Sequence, residues 1–94
     1  MTKEADNTPS HTHLKELRIE AGLTQTELGV LVGVSRETVS AIENGKVSQL
    51  ENLGVPKINR WYATCLEHAS NNARKDKIKT IFSSLKRNIW NHFK

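Results

Sequence analysis

TQTELGVLVGVSRETVSAIENGK, residues 24–46, contains two short helical patterns separated by a single turn. Thr24 and Glu27 have the spacing of a capping box, in which each side chain bonds the other residue's backbone N–H, so a helix begins here. The pattern predicts that this helix ends at Gly33 and that Ser35 caps a second short helix. Such short helices are marginal in water on their own, so each one needs neighbours to pack against.

Two glycines and a set of apolar residues indicate how the two helices meet. Gly29 stands in the middle of the first helix, where a glycine costs about 1 kcal/mol relative to alanine, and close approach of another helix would explain it. Gly33 falls at the turn, where a positive φ is needed. The spacing is typical of a helix-turn-helix unit over residues 25–44. Its shared core is predicted to contain Leu28, Val32, Val34, Val39 and Ile42.

The flanking segments also predict helices. Residues 1–11 are polar and lack periodicity, which indicates a flexible arm. A first helix is expected over about residues 12–21, and residues 12–69 are expected to form one domain. A short helical turn should end at Gly54, and Pro56 is well placed to open the next helix because its missing N–H does no harm there. No strand pattern is present, so the predicted fold class is all-α.

The last segment, residues 70–94, predicts a long basic amphipathic helix. Residues 1–69 carry a net charge of −2, whereas residues 70–94 carry +6. An apolar arc of about 120° runs along this helix, and an arc this regular is normally buried. We expect it to pack against the domain or against its copy in a dimer. The arc contains Ile78, Ile81, Phe82, Leu85, Ile89 and Phe93, and the basic residues expected to stay in solvent include Lys75, Lys79, Lys86 and Arg87.

Length and composition limit the class of protein. A chain of 94 residues with 36% hydrophobic and 26% charged residues indicates one soluble domain rather than a multilayer enzyme scaffold. No apolar run approaches the roughly 18 residues of a membrane span, and the polar N-terminus lacks the apolar core of a secretory signal. A single cysteine excludes an internal disulfide and fits a reducing, cytosolic setting.

Two pairs of potential zinc ligands occur, His11-x-His13 and Cys65-x-x-His68. The histidine pair lies at the edge of the predicted arm, and Cys65 lies in an apolar stripe, where a lone cysteine is usually a small hydrophobic residue. The spacing matches no pair of zinc knuckles, so we expect no metal and no cofactor. No Ser–His–Asp, phosphate-loop or paired-carboxylate pattern stands out, so the sequence does not predict an enzyme.

The stretch LKELRIEAGLTQTELGVLVGVSRETVSAIENGK, residues 14–46, resembles the Cro/cI-type (Xre-like) repressor domain. The matching features are LKELR, the GLTQTEL entry, the VGVS turn and the IENGK exit. The resemblance is close over residues 14–46 and loose over residues 47–69. It implies a compact repressor-like helix-turn-helix domain of four to five short helices, to which the C-terminal amphipathic helix is added.

The resemblance also implies roles for individual residues on double-stranded DNA. The second helix of the unit would enter the major groove, and Arg36 would be the leading base reader because a guanidinium can bond both acceptors of a guanine. Glu37 could accept from a cytosine amine or orient Arg36, and Ala41 could touch a thymine methyl group. The base-reading candidates are Arg36, Glu37, Ser40 and Ala41, and the phosphate candidates are Thr24, Gln25, Ser35, Thr38, Asn44 and Lys46.

Some of these residues have structural alternatives. Thr24 and Ser35 are helix caps whatever else they do. In the family the residue that matches Gln25 binds phosphate and braces the first groove residue. Arg18 matches a recurring arginine of the family's first helix, and the resemblance implies that it pairs with Glu43.

The function implied is a sequence-specific DNA-binding transcriptional regulator, a repressor that binds a near-palindromic operator as a homodimer. One alternative is an antitoxin that binds a partner toxin and represses its own operon, and another is a protein–protein adaptor that has lost DNA binding. We expect no membrane partner and a cytoplasmic location, with an origin in a prokaryotic cell, a phage or a mobile element. The C-terminal helix is expected to dimerise the protein and to add non-specific DNA affinity.

Overall fold

The computed structural model describes residues 10–93, with side chains through residue 87. Within that range the chain is all-helical, which confirms the predicted fold class. It forms α1 (Ser10–Ala21), α2 (Gln25–Val32), α3 (Arg36–Glu43), α4 (Val47–His68) and α5 (Asn72–Phe93). No helix in the described part of the chain is long and apolar enough to cross a membrane.

The first helix starts earlier than the sequence indicates. Ser10 and His11, which the sequence pattern assigns to the end of the arm, form the first turn of α1. The rest of the predicted arm, residues 1–9, lies outside the described residues.

Both short helices carry the caps that the sequence predicts. At the start of α2, Thr24 Oγ1 accepts a hydrogen bond from the Glu27 N–H at 3.0 Å, and the Thr24 N–H donates to Glu27 Oε1 at 2.9 Å. At the start of α3, Ser35 Oγ accepts from the Thr38 N–H at 3.1 Å. These bonds occupy backbone donors that a helix otherwise leaves unpaired at its first turn.

The two glycines of this region differ in their role. Gly33 has φ 94° and ends α2 in the left-handed conformation, as expected. At Gly29 the close neighbour is the turn rather than a helix packed across it: a Cβ there would lie 2.7 Å from the carbonyl oxygen of Val34. The Gly29 carbonyl also accepts from the N–H groups of Gly33 and Val34, at 2.8 and 2.9 Å. Gly29 thus lets the turn fold back onto α2.

The fourth helix contains a sharp interruption. Gly54 has φ 79° and ψ 163° in the middle of α4, so helical backbone stops there and restarts immediately after it. Pro56 falls in the first turn of the restarted part, where it removes no needed donor. The short helical turn followed by a longer helix agrees with the sequence prediction.

The core includes the last helix. Leu14 and Leu17 of α1, Trp61 of α4 and the apolar side of α5 are buried in one cluster, and the Trp61 indole N–H donates to the Leu14 carbonyl at 3.1 Å. The α5 helix packs against α1 and α4. The predicted arc is therefore covered within a single chain as far as the side chains are described. Ile78, Phe82 and Leu85 are buried and Ile81 is partly buried, whereas Ile89 and Phe93 lie beyond the described side chains.

Candidate nucleic-acid interface

The buried carboxylate of Glu43 holds the C-terminal end of α3 in place. Glu43 is 5% exposed, and it accepts two hydrogen bonds from Arg18, Nε to Oε2 at 2.7 Å and Nη2 to Oε1 at 2.9 Å. Arg18 also donates through Nη1 to the Leu23 carbonyl at 2.8 Å. The implied Arg18–Glu43 pair is thus present. It ties the end of α3 to α1 and to the connection that leads into α2.

Gln25, the first residue of α2, joins the same cluster. Its side-chain Nε2 donates to Glu43 Oε1 at 3.1 Å, a contact that the sequence did not predict. An amide nitrogen carries two protons, so one remains for a further acceptor. The structure therefore gives Gln25 a bracing role on Glu43 and leaves one proton that could reach a phosphate.

The base-reading candidates lie together on the outer part of α3. Arg36 and Glu37 are exposed in its first turn, and Ser40 and Ala41 are half-buried one turn later. Within the described part of the chain, no hydrogen bond or ion pair engages the guanidinium of Arg36, so Glu37 does not orient it here. Neighbouring helix residues point about 100° apart, which separates these two side chains.

Two of the three hydroxyl groups among the phosphate candidates, those of Thr24 and Ser35, are already used as helix caps. Thr24 Oγ1 and Ser35 Oγ each accept a backbone N–H. The Ser35 hydroxyl also donates to Thr38 Oγ1 at 2.9 Å, so its proton is used inside the turn. Because a hydroxyl can donate and accept at once, Thr24 and Thr38 keep a proton for an outside acceptor.

The loop after α3 holds the remaining phosphate candidates, Asn44 and Lys46, and both are exposed. The Asn44 side-chain nitrogen lies 3.5 Å from Ser40 Oγ. Between them Gly45 has φ 92°, and a Cβ added there would lie 3.2 Å from the His11 ring. This places the first turn of α1 beside the loop, a contact between distant segments that no local sequence pattern predicts.

Two basic residues of α4, which the sequence did not single out, contact the C-terminal end of α2. Lys57 Nζ lies 3.4 Å from the Gly33 carbonyl oxygen, and Arg60 Nε donates to the Leu31 carbonyl at 2.9 Å. Cations at a helix C-terminus pair with free carbonyls and with the negative end of the helix dipole. Lys57 and Arg60 thereby attach α4 to the end of α2.

Cys65 has the properties of a core residue. Burial raises the pKa of its thiol to about 12, against a smaller opposing effect of the Arg18 charge. A cysteine binds metal as the thiolate, so this environment does not favour ligation. Among the described residues, no cluster of three or more His, Cys, Asp or Glu side chains could hold a metal ion.

Known proteins resemble this chain over the same region. A family model described as helix-turn-helix matches residues 14–54. An uncharacterized HTH-type transcriptional regulator of Methanothermobacter thermautotrophicus is 51% identical over 37 residues, which are 39% of this chain and 54% of that protein. A similarly described regulator of Bacillus subtilis is 56% identical over 32 residues, 34% of this chain and 48% of that protein.

The chain thus spans about half the length of the curated relatives it matches. No solved structure is significantly similar to it. The matched segment contains α2, the turn, α3 and the Arg18–Glu43 pair that braces them. Over residues 14–54 the chain is therefore similar to the helix-turn-helix family.

Proposed function

We propose that this protein is a sequence-specific DNA-binding transcriptional regulator whose α3 enters the major groove of double-stranded DNA. The observation that carries the proposal is the contrast between the two ends of α3. Glu43 at its end is fixed to α1 and α2 by three hydrogen bonds. Arg36 at its start is exposed, and its guanidinium is bonded to no residue in the described part of the chain. Base reading requires a helix that is held rigidly and a hydrogen-bond donor that is free to reach a base, and α3 with Arg36 meets both requirements.

Arg36 is the base reader in this proposal, through two hydrogen bonds to guanine O6 and N7. Glu37, Ser40 and Ala41 line the same face and set the preference at neighbouring base pairs. Phosphate contacts come from Lys46 and Asn44 in the loop, from the hydroxyl protons of Thr24 and Thr38, and from the second amide proton of Gln25. Ser35 acts mainly as the cap that fixes the first turn of α3.

The biological setting is also proposed. The curated relatives are described as transcriptional regulators, which supports the same class here. We propose a repressor that acts as a homodimer in the cytoplasm and binds a near-palindromic operator, with half-sites one DNA turn apart, roughly 34–36 Å. As far as its side chains are described, through residue 87, the apolar side of α5 is buried within the chain, so we propose that the dimer does not use this part of α5.

The test is a selection of binding sites from random duplex DNA with the purified protein. The proposal predicts an enriched site with two inverted halves, and loss of that enrichment for Arg36→Ala. Arg74→Ala removes the same charge from an exposed position of α5 and should leave the enriched site unchanged. If wild-type protein enriches no sequence even at low salt, the proposal is wrong and a protein–protein adaptor becomes the better account.

A further inference from the structure

The net positive charge of the chain is concentrated in residues 70–94, and α5 lies on a side of the molecule away from α3. On α1, Arg18 contacts Glu43 of α3, whereas Glu20 pairs with Arg74 and Lys77 of α5 at 3.1 and 3.0 Å. Residues two apart on a helix point about 200° apart, to nearly opposite sides. The end of α3 and the start of α5 therefore lie on opposite sides of α1.

The fourth helix gives the same result independently. Arg60 bonds the Leu31 carbonyl at the end of α2, whereas Tyr62, two residues later, stacks on Phe82 of α5 with ring centroids 3.8 Å apart. These side chains again leave their helix about 200° apart. The α1 and α4 helices thus form a middle layer, with the helix-turn-helix on one side and α5 on the other.

A stripe of lysines runs along α5 at the edge of its buried side, next to Phe82, and in it Lys79 and Lys86 are exposed whereas Lys75 is half-buried. Lys75, Lys79 and Lys86 recur at intervals of four and seven residues, which confines them to an arc of about 40°. None of the three forms an ion pair within the described part of the chain, in contrast to Arg74 and Lys77. Lys86 Nζ lies 5.5 Å from the centre of the Phe82 ring. Like charges at i and i+4 disfavour a helix by a few tenths of a kcal/mol, so folding does not account for the stripe.

We propose that this lysine stripe, Lys75, Lys79 and Lys86, is a second DNA-binding surface that holds the phosphate backbone of another duplex. Charge complementarity selects the occupant. A second copy of the stripe would repel the first, whereas duplex DNA offers one negative charge per about 1.7 Å of its axis, so lysines 6 and about 10 Å apart meet phosphates in any register. Asp76 is the one acidic residue of α5, and it points about 60° or more away from the stripe.

A second DNA-binding surface would let one protein molecule hold two DNA duplexes together, which we call bridging. It rests on the proposed function, because the first duplex is held by α3 through its sequence. The stripe then binds a second duplex of any sequence. This explains why a helix-turn-helix with little positive charge of its own is joined to a strongly basic last helix.

The experiment captures a second duplex on a first one. A duplex with the selected site is attached to a surface and loaded with the full-length protein, and a labelled duplex lacking the site is added. We expect Lys79→Gln with Lys86→Gln to reduce retention of the second duplex about three- to tenfold, because two phosphate contacts are lost. Loading on the first duplex should stay within about twofold of wild type, since α1 and α4 lie between α5 and the helix-turn-helix.

Lys15→Gln with Lys77→Gln is the matched control, because it removes the same charge near α1. It should retain the second duplex like wild type. Equal losses in both double variants would show an effect of total charge alone and overturn the proposal. So would unchanged retention in the stripe variant, or displacement of the second duplex by poly-glutamate as effectively as by DNA.

Failure of the two proposals can be told apart. If no selected site exists but an attached random duplex still binds with a loss specific to the stripe variant, the proposed function fails and the stripe stands. If the selected site binds normally and no second duplex is retained, the stripe proposal fails by itself.

Discussion

Arg18 and Glu43 are 25 positions apart in the sequence, and their side chains meet in a two-bond ion pair with an Nε–Oε2 distance of 2.7 Å. The Glu43 side chain is 2% exposed and that of Arg18 is 13% exposed. If one partner of such a pair is removed, the other charge stays buried without a counter-charge, and the fold loses about 3–5 kcal/mol of stability. The same carboxylate also holds Gln25, so one residue sets the position of α1, α2 and α3.

The first prediction concerns this carboxylate. Glu43→Gln keeps the shape of the side chain but leaves the Arg18 charge without its counter-charge, so we expect the free energy of unfolding to fall by about 3 kcal/mol. Urea denaturation followed by circular dichroism measures it. Glu67→Gln, at an exposed position of α4, should change it by less than about 0.5 kcal/mol. A loss below about 1 kcal/mol for Glu43→Gln would contradict the bracing role.

The second prediction concerns Gly29. Alanine normally stabilises a helix interior relative to glycine by about 1 kcal/mol, but here its Cβ would lie 2.7 Å from the Val34 carbonyl oxygen, a backbone atom. We therefore expect Gly29→Ala to destabilise the fold by about 1–3 kcal/mol, as overpacking does. Thermal and urea unfolding of the purified variant measure the change.

Gly33→Ala is the comparison for that variant. Nothing lies within 4 Å of the added Cβ, but φ is 94°, so the cost should be the backbone strain alone, about 1–2 kcal/mol. Gly33→Asn should recover part of it, whereas Gly29→Asn should not. A gain in stability for Gly29→Ala would show that the turn yields easily.

The third prediction concerns the cap of α2. Thr24→Ala removes the acceptor of the Glu27 N–H, and we expect a loss of about 1 kcal/mol. Thr24→Ser retains the acceptor and should stay within about 0.5 kcal/mol of wild type. If both variants lost stability equally, the Thr24 methyl group and not the capping hydrogen bond would be responsible.

The features that the sequence predicted well depend on neighbours in the chain. The capping box needs Thr24 and Glu27 three residues apart, and the left-handed turn needs a glycine at Gly33, so both can be read locally. The Arg18–Glu43 pair is long-range, and only the resemblance to a family indicated it. The interruption of α4 could also be predicted locally, from Gly54 and the nearby Pro56.

The features that the sequence missed are contacts between distant segments. Gln25 reaches Glu43 across 18 positions, and Arg60 reaches Leu31 across 29. Helical periodicity shows which side of a helix is apolar but not which neighbour covers it. For this reason the sequence assigns the arc of α5 to the domain or to a dimer, and the burial of its described part, through Leu85, on α1 and α4 is known only from the structure.

The fourth prediction concerns Cys65. Its pKa is raised from 9.0 to about 12, so at pH 9 the folded protein should hold about 500-fold less thiolate than an unfolded chain, in which about half of the thiol is ionised. Alkylation of native protein at pH 9 should be correspondingly slow, and fast in denaturant.

The raised pKa of Cys65 also determines the direction in which the stability of the fold changes with pH. Below pH 9 the thiol is protonated in both states, and as the pH rises towards 12 only the unfolded chain releases the proton, so stability falls. Cys65→Ala should remove this part of the pH dependence. Native alkylation as fast as that of the denatured chain would contradict burial of the thiol.

Base reading by Arg36 is the central claim, and its most direct test is the affinity of Arg36→Ala for the selected site and for a scrambled duplex at one salt concentration. We predict a loss of about 1–3 kcal/mol on the selected site and a much smaller loss on the scrambled duplex. Arg74→Ala, which removes the same charge from α5, should lower the two affinities little and to the same extent. Equal losses on both duplexes for Arg36→Ala, or a loss below about 1 kcal/mol on the selected site, would contradict base reading by Arg36.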